Sequence, residues 1–130
     1  EKVKEVLERQ DSIYVSFRNL EILNTGSPNK FFDGLAAGKL IVLNFGGWIR
    51  TLVDKRNCGF YHDPSEPKEF VRKIKVFLKD PGLLGQYQRN SRILAESYYS
   101  KDLQVKKLLK ILNNEKHLGV SDSEVYILTA

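Results

Sequence analysis

Apolar residues in this chain come in two patterns, short continuous runs and spacings of three and four, and the two alternate along it. Runs suit strands, and the wider spacing suits helices with one buried face. Val3, Val6 and Leu7 predict a short helix over residues 2–10. Ile13-Tyr14-Val15-Ser16-Phe17 is a β-prone run, followed by a polar, irregular stretch from Arg18 to Gly26. Ser27 and Pro28 then predict a helix start. Serine is a favoured N-cap, and proline at the first helical position has no N–H to leave unpaired. Phe31, Phe32, Leu35 and Ala36 give that helix an apolar face, and Gly38 suits the position that ends it. Leu40-Ile41-Val42-Leu43 is apolar throughout, as in a strand buried on both faces of a parallel sheet.

Asn44 to Gly47 predicts a turn, and Trp48, Leu52 and Val53 a helix that stops near Asn57. Gly59-Phe60-Tyr61 reads as a third strand. The turn Asp63-Pro64-Ser65-Glu66-Pro67 opens a helix with Phe70, Ile74, Phe77 and Leu78 on one side. Asp80-Pro81 starts another helix, whose inner side holds Leu84, Tyr87, Ser91, Leu94, Ala95 and Tyr98. Ser100 caps a last helix carrying Val105, Leu108, Leu109 and Leu112. Strands alternating with helices imply an α/β fold. The expected form is a three-layer half of a Rossmann-like domain, with a short parallel sheet between helices and right-handed crossovers. Residues 1–113 form this unit. Residues 114–130 stand apart as a tail, either disordered or supplying an added strand at Val125-Tyr126-Ile127-Leu128.

Composition narrows the function classes. The 130 residues are 42% hydrophobic and 28% charged, ordinary values for a globular domain. No stretch approaches the ~20 apolar residues that span a bilayer, and no apolar leader follows Glu1. A single cysteine, Cys58, makes no internal disulfide, so a reducing, cytoplasmic setting is the simpler expectation. No metal site is expected, because only two histidines, His62 and His117, accompany that cysteine. Cys58 is expected to be a small buried residue and His62 a surface one. The net charge of +5 suits anionic partners. Nucleic acid is not expected, since Phe31 and Phe32 sit at core spacing rather than on a basic platform.

In an open α/β sheet, ligands bind beyond the C-terminal ends of the strands. Two loops fall there. The first delivers the chain through Thr25 and Gly26 into a helix at Ser27, where free N–H groups and the helix dipole favour an anion. Asn29 and Lys30 lie in the first turn, and Asp33 follows one turn on. A carboxylate at Asp33 can accept two hydrogen bonds from a vicinal diol such as ribose. Phosphate at the helix start and ribose at Asp33 together describe a nucleoside diphosphate. The plainer alternative is that Ser27 merely caps and Asp33 pairs with Lys30. The second loop places Gly46 and Gly47 before Trp48. The glycines permit close approach to a ligand. Trp48 can stack on a sugar or, as a lone Trp at a helix start more often does, pack into the core.

The run Ser27-Pro28-Asn29-Lys30-Phe31-Phe32-Asp33-Gly34-Leu35-Ala36-Ala37-Gly38-Lys39-Leu40-Ile41-Val42-Leu43-Asn44 resembles the C-terminal-lobe signature of family 4 glycosyltransferases. It is most similar to the branch that builds bacterial surface polysaccharides. The likeness continues through Gly46-Gly47-Trp48, Cys58-Gly59-Phe60, Asp63 to Pro67, Arg89-Asn90-Ser91-Arg92 and Tyr98-Tyr99-Ser100, covering residues 1–113. The resemblance implies a GT-B fold of two Rossmann-like lobes. It also implies retaining transfer of a sugar, as in hexosyltransferases, from a nucleoside-diphosphate sugar to a polysaccharide or lipid-linked acceptor. That sugar nucleotide is a substrate; no cofactor and no metal are implied. The family's Glu-x7-Glu motif places its second acid at Asp33, for the ribose hydroxyls. Its first acid falls on Thr25, and Leu40 stands where the family usually has Pro. The backbone of Ser27 to Lys30 would face the diphosphate and sugar.

On this reading the family's diphosphate-neutralising cations and its acceptor-binding N-terminal lobe precede Glu1. The chain alone is therefore expected to be inactive, with no catalytic residue of its own. The other class of reading is a non-catalytic binding module left from a truncated glycosyltransferase. The run from Ile13 to Phe17 would be central in a complete lobe. Alone, its free edge would be covered by the tail strand or would pair two chains as a homodimer. Lys101, Lys106, Lys107 and Lys110 alternate with the apolar residues of the last helix, which suggests peripheral contact with the inner face of the membrane. The plainer expectation is that its apolar side packs on the lobe.

Overall fold

The computed structural model describes residues 2–18 and 20–113. The tail run from Val125 to Leu128, with the added strand expected of it, lies outside them. Among the described residues, three short strands form one parallel sheet. β1 (Ser12–Val15) pairs with β2 (Leu40–Leu43), and β2 with β3 (Gly59–Tyr61), in the order β1-β2-β3. Among the described residues, six α-helices accompany it: α1 (Lys2–Glu8), α2 (Asn29–Ala36), α3 (Gly47–Arg56), α4 (Pro67–Lys79), α5 (Pro81–Tyr98) and α6 (Lys101–Leu112). The α/β class and the parallel sheet between helices agree with the sequence reading. β2 is the central strand and β1 lies at one edge of the described sheet.

β2 is buried at all four positions, which explains why its sequence has no polar alternation. One face of the sheet packs Ile13, Val15, Ile41 and Leu43 against Phe31 and Leu35 of α2, Ile49, Leu52 and Val53 of α3, and Leu94 and Ala95 of α5. The other face packs Leu40, Val42 and Phe60 against Phe70, Ile74 and Phe77 of α4, with Leu83, Leu84 and Tyr87 of α5 beside them. Ser91 is a buried polar residue on α5, and its hydroxyl lies 2.7 Å from the Lys39 carbonyl and 3.2 Å from that of Cys58. It thereby links α5 to the chain entering β2 and β3.

Local chemistry sets the boundaries. α2 ends in a Schellman motif, with Gly38 N–H donating to Leu35 and Lys39 N–H to Gly34. Gly38 has φ +63°, the left-handed conformation that glycine adopts without penalty. Asp80 caps α5 by accepting from the Leu83 N–H at 2.9 Å, and Ser100 caps α6 through the Leu103 N–H.

Several expectations need correction. The first helix stops at Glu8, and Arg9 and Gln10 close it with turn bonds to Val6 and Leu7. The first strand ends at Val15, because the Phe17 N–H and C=O both bond the Asn44 side chain. A 3₁₀ turn, Glu21–Thr25, interrupts the irregular stretch after it. α2 starts at Asn29 rather than Pro28. Pro28 is extended, at φ −69° and ψ 131°, and no side chain caps the helix, so Ser27 is not its N-cap. Ala36 and Leu78 face solvent rather than the core. The apolar side of α6 does not pack on the domain, and none of its residues is buried.

Candidate functional site

The chain turns out of β1 and β2 at the same end of the sheet, and side chains tie the two exits together. Asn44, next after β2, donates from Nδ2 to the Phe17 carbonyl at 3.1 Å and accepts the Phe17 N–H at 2.9 Å. The Asn24 side chain accepts the Gly46 N–H at 3.2 Å. The Trp48 indole N–H donates to the Gly26 carbonyl at 3.2 Å. Gly47 has φ +78°, and a Cβ there would stand 2.0 Å from the Asn24 carbonyl oxygen. The start of α3 and the loop entering α2 are therefore fastened side by side. The glycine the sequence reading offered to a ligand is needed first for this close approach.

Trp48 is half-buried, edge-on to Phe31 with ring centroids 6.1 Å apart and tilted against Phe32. Its ring belongs to the core, as the plainer reading held. Asn24 and Asn44, the residues that join the loops, were not singled out from the sequence. For Asn44 a local signal existed: a lone amide directly after a fully apolar run. Asn24 had none, since its partner lies 22 residues away.

Of the remaining expected site residues, all but Asp33 lie by this junction. Thr25, Ser27, Asn29 and Lys30 are exposed. The Thr25 hydroxyl turns back to the Ile22 carbonyl at 2.8 Å. Among the described residues, no hydrogen bond reaches the backbone N–H groups of Asn29 and Lys30 in the first turn of α2, or those of Gly47 and Trp48 in the first turn of α3. Two helix starts thus present donors, as helix geometry requires of any uncapped end. Neither Lys30 nor Asp33 has an ion-pair partner among the described residues, so the expected Asp33–Lys30 pairing is not formed. Asp33 instead lines a groove of about 590 Å³ with Lys4, Leu7 and Glu8 of α1, and with Ala36, Ala37, Lys39 and Arg92. The Arg92 guanidinium is held there by Glu96 and by the Ala36 carbonyl.

A second polar cluster sits after β3. His62 is buried, against the expectation of a surface residue, because Tyr14 of β1 and Phe70 of α4 enclose it. Its Nδ1 lies 3.1 Å from the Asp63 carbonyl, which can only accept, so Nδ1 carries the proton. In the neutral ring, Nε2 then accepts from the Tyr14 hydroxyl at 2.9 Å. Burial raises the pKa of that phenol. The Ser65 hydroxyl and N–H hold the Asp63 carboxyl below its ordinary range. The Asp63 N–H, and then Lys73, do the same for Glu69. Every group in this cluster has a partner within it, which fits a structural role.

Cys58 is fully buried, and burial pushes its thiol up to about 12, so it is no nucleophile near neutral pH. No group of three or more potential metal ligands occurs among the described residues. No described helix is long and apolar enough to cross a membrane. Compared with models of known protein families, with curated proteins and with solved structures, the chain matches none.

Proposed function

We propose that this chain is the nucleotide-sugar-binding part of a retaining glycosyltransferase. The observation that carries the reading is the fastening of two uncapped helix starts, α2 and α3, by Asn24 and Trp48. Free amides and two positive helix ends suit a diphosphate. Lys30 adds a full charge in the first turn of α2, and Asp33 lies three residues further on, about 4.5 Å at 1.5 Å per residue. An exposed carboxylate with no ion-pair partner among the described residues is suited to the two hydroxyls of a ribose. By the family likeness, the backbone from Ser27 to Lys30 would face the diphosphate and sugar, with Gly26 just ahead of it. The sequence likeness to family 4 glycosyltransferases supports the same assignment at Asp33, which falls on the second acid of the motif, while Thr25 stands at the first.

Transfer itself needs charges aimed at the leaving diphosphate, and Lys30 supplies a charge in the first turn of α2. The chain alone binds donor and does not transfer, so catalysis calls for a second lobe. The test is titration of nucleoside diphosphates followed by amide NMR shifts. Shifts centred on Gly26 to Asp33 and on Gly46 to Trp48 are expected, and Asp33→Ala should weaken binding by ~1–2 kcal/mol, the scale of hydrogen bonds to a charged group. Shifts confined to other residues would overturn the reading.

A further inference from the structure

α6 is amphipathic in a way the rest of the domain does not use. Val105, Leu108, Leu109 and Leu112 recur at the spacing of a single helical stripe, and Ile111 widens it. In a helix that packs on its own domain, such a stripe is buried. Here all five side chains are exposed, Leu112 at 68%. The helix touches the domain through its first turns. There Gln104 donates to the Tyr98 carbonyl at 2.5 Å, and Leu103 and Lys107 are half-buried. Lys106, Lys107 and Lys110 fall away from the stripe, and Lys101 stands at the helix start. Asp102 is the one acid among its twelve residues.

We infer that α6 docks on an anionic lipid surface, with the leucine stripe entering the interface and the lysines meeting phosphate headgroups. Three features select this occupant. The stripe is made of aliphatic side chains with no polar atom to pair, so a hydrocarbon boundary receives it without a matched surface. Lysine stems reach sideways to keep their ammonium groups among headgroups while the apolar face is buried. The chain as a whole carries +5, so it approaches a negative leaflet favourably. A second copy fits less well. A twelve-residue helix, about 18 Å long, offers far less than the roughly 800 Å² per partner of a stable interface.

The inference is independent of nucleotide binding and is tested without it. The chain is sedimented with vesicles of phosphatidylcholine alone and of phosphatidylcholine with phosphatidylglycerol, at low and high salt. Binding is expected only with phosphatidylglycerol, and it should weaken as salt rises. Leu108→Glu with Leu112→Glu should abolish it. Lys106→Glu with Lys110→Glu should weaken it about tenfold or more. All four positions are exposed, so the variants should keep the parent's circular dichroism and thermal midpoint. The inference is overturned if wild type ignores anionic vesicles at low salt, or if binding survives the double leucine change. It is equally overturned if the chain is a dimer that Leu108→Glu with Leu112→Glu converts to monomer, which would assign the stripe to a second copy.

Discussion

The indole N–H of Trp48 donates to the carbonyl of Gly26 at 3.2 Å, so a residue in the first turn of α3 holds the loop that feeds α2. Trp48→Phe keeps an aromatic ring against Phe31 and Phe32 but deletes the donor and part of the packed ring. It should cost ~1–3 kcal/mol of stability, from the lost hydrogen bond and the lost packing together. Amide exchange should quicken around Gly26 while the amides of β2 stay protected. Native-state hydrogen exchange checks both.

Gly46 and Gly47 should respond very differently to alanine. At Gly47 the added Cβ would lie 2.0 Å from the Asn24 carbonyl, on a backbone with φ +78°. At Gly46 the nearest atom is the Asn24 Oδ1 at 3.6 Å, an ordinary contact. Gly47→Ala should destabilise by more than ~2 kcal/mol, from strain and clash together. Gly46→Ala should stay within ~1 kcal/mol of wild type. Urea unfolding of the two variants gives the comparison directly.

Ser91 is fully buried and bonds the Lys39 carbonyl. The nearby Cys58 carbonyl has another donor in the Ile41 N–H, so Lys39 is the group left short when the hydroxyl goes. Ser91→Ala should cost ~1–3 kcal/mol, the penalty for an unsatisfied buried acceptor. The urea midpoint should fall with an unchanged slope.

The Cys58 thiol gives a pH dependence of fixed sign. Its ordinary value is 9.0, and burial raises it to about 12 in the folded protein. Above pH 9 the unfolded chain loses its thiol proton while the folded one keeps it. The stability this group contributes is therefore complete below pH 9 and is lost as pH rises toward 12. Wild type should lose more stability than Cys58→Ala over that window in paired denaturation curves. Iodoacetamide should label the native thiol far more slowly than the unfolded one at neutral pH.

Much of the fold was legible because each buried element has its own periodicity. Leu40 to Leu43 is apolar at every position and lies in the centre of the sheet. The inner side of α5 holds Ser91, Leu94 and Ala95 as spacing required. What escaped notice depends on partners distant in sequence. His62 looks like a turn residue until Tyr14, 48 positions earlier, covers it. Leu78 follows the helical count of α4 yet faces solvent. Of the candidate site, the glycines and the helix start were readable. The side chains that lock the loops, Asn24 and Asn44, act across the fold and leave little local trace.

The strand order β1-β2-β3 follows the order of the sequence. During synthesis the sheet can therefore grow in one direction as the chain emerges, each strand meeting a neighbour already made. Ser91 follows every residue of that sheet, and it bonds the carbonyl of Lys39, 52 positions earlier. The nascent sheet must wait for α5 before the Lys39 carbonyl is bonded, and until then the parts of its apolar faces that Leu83, Leu84, Tyr87, Leu94 and Ala95 cover are open to other chains.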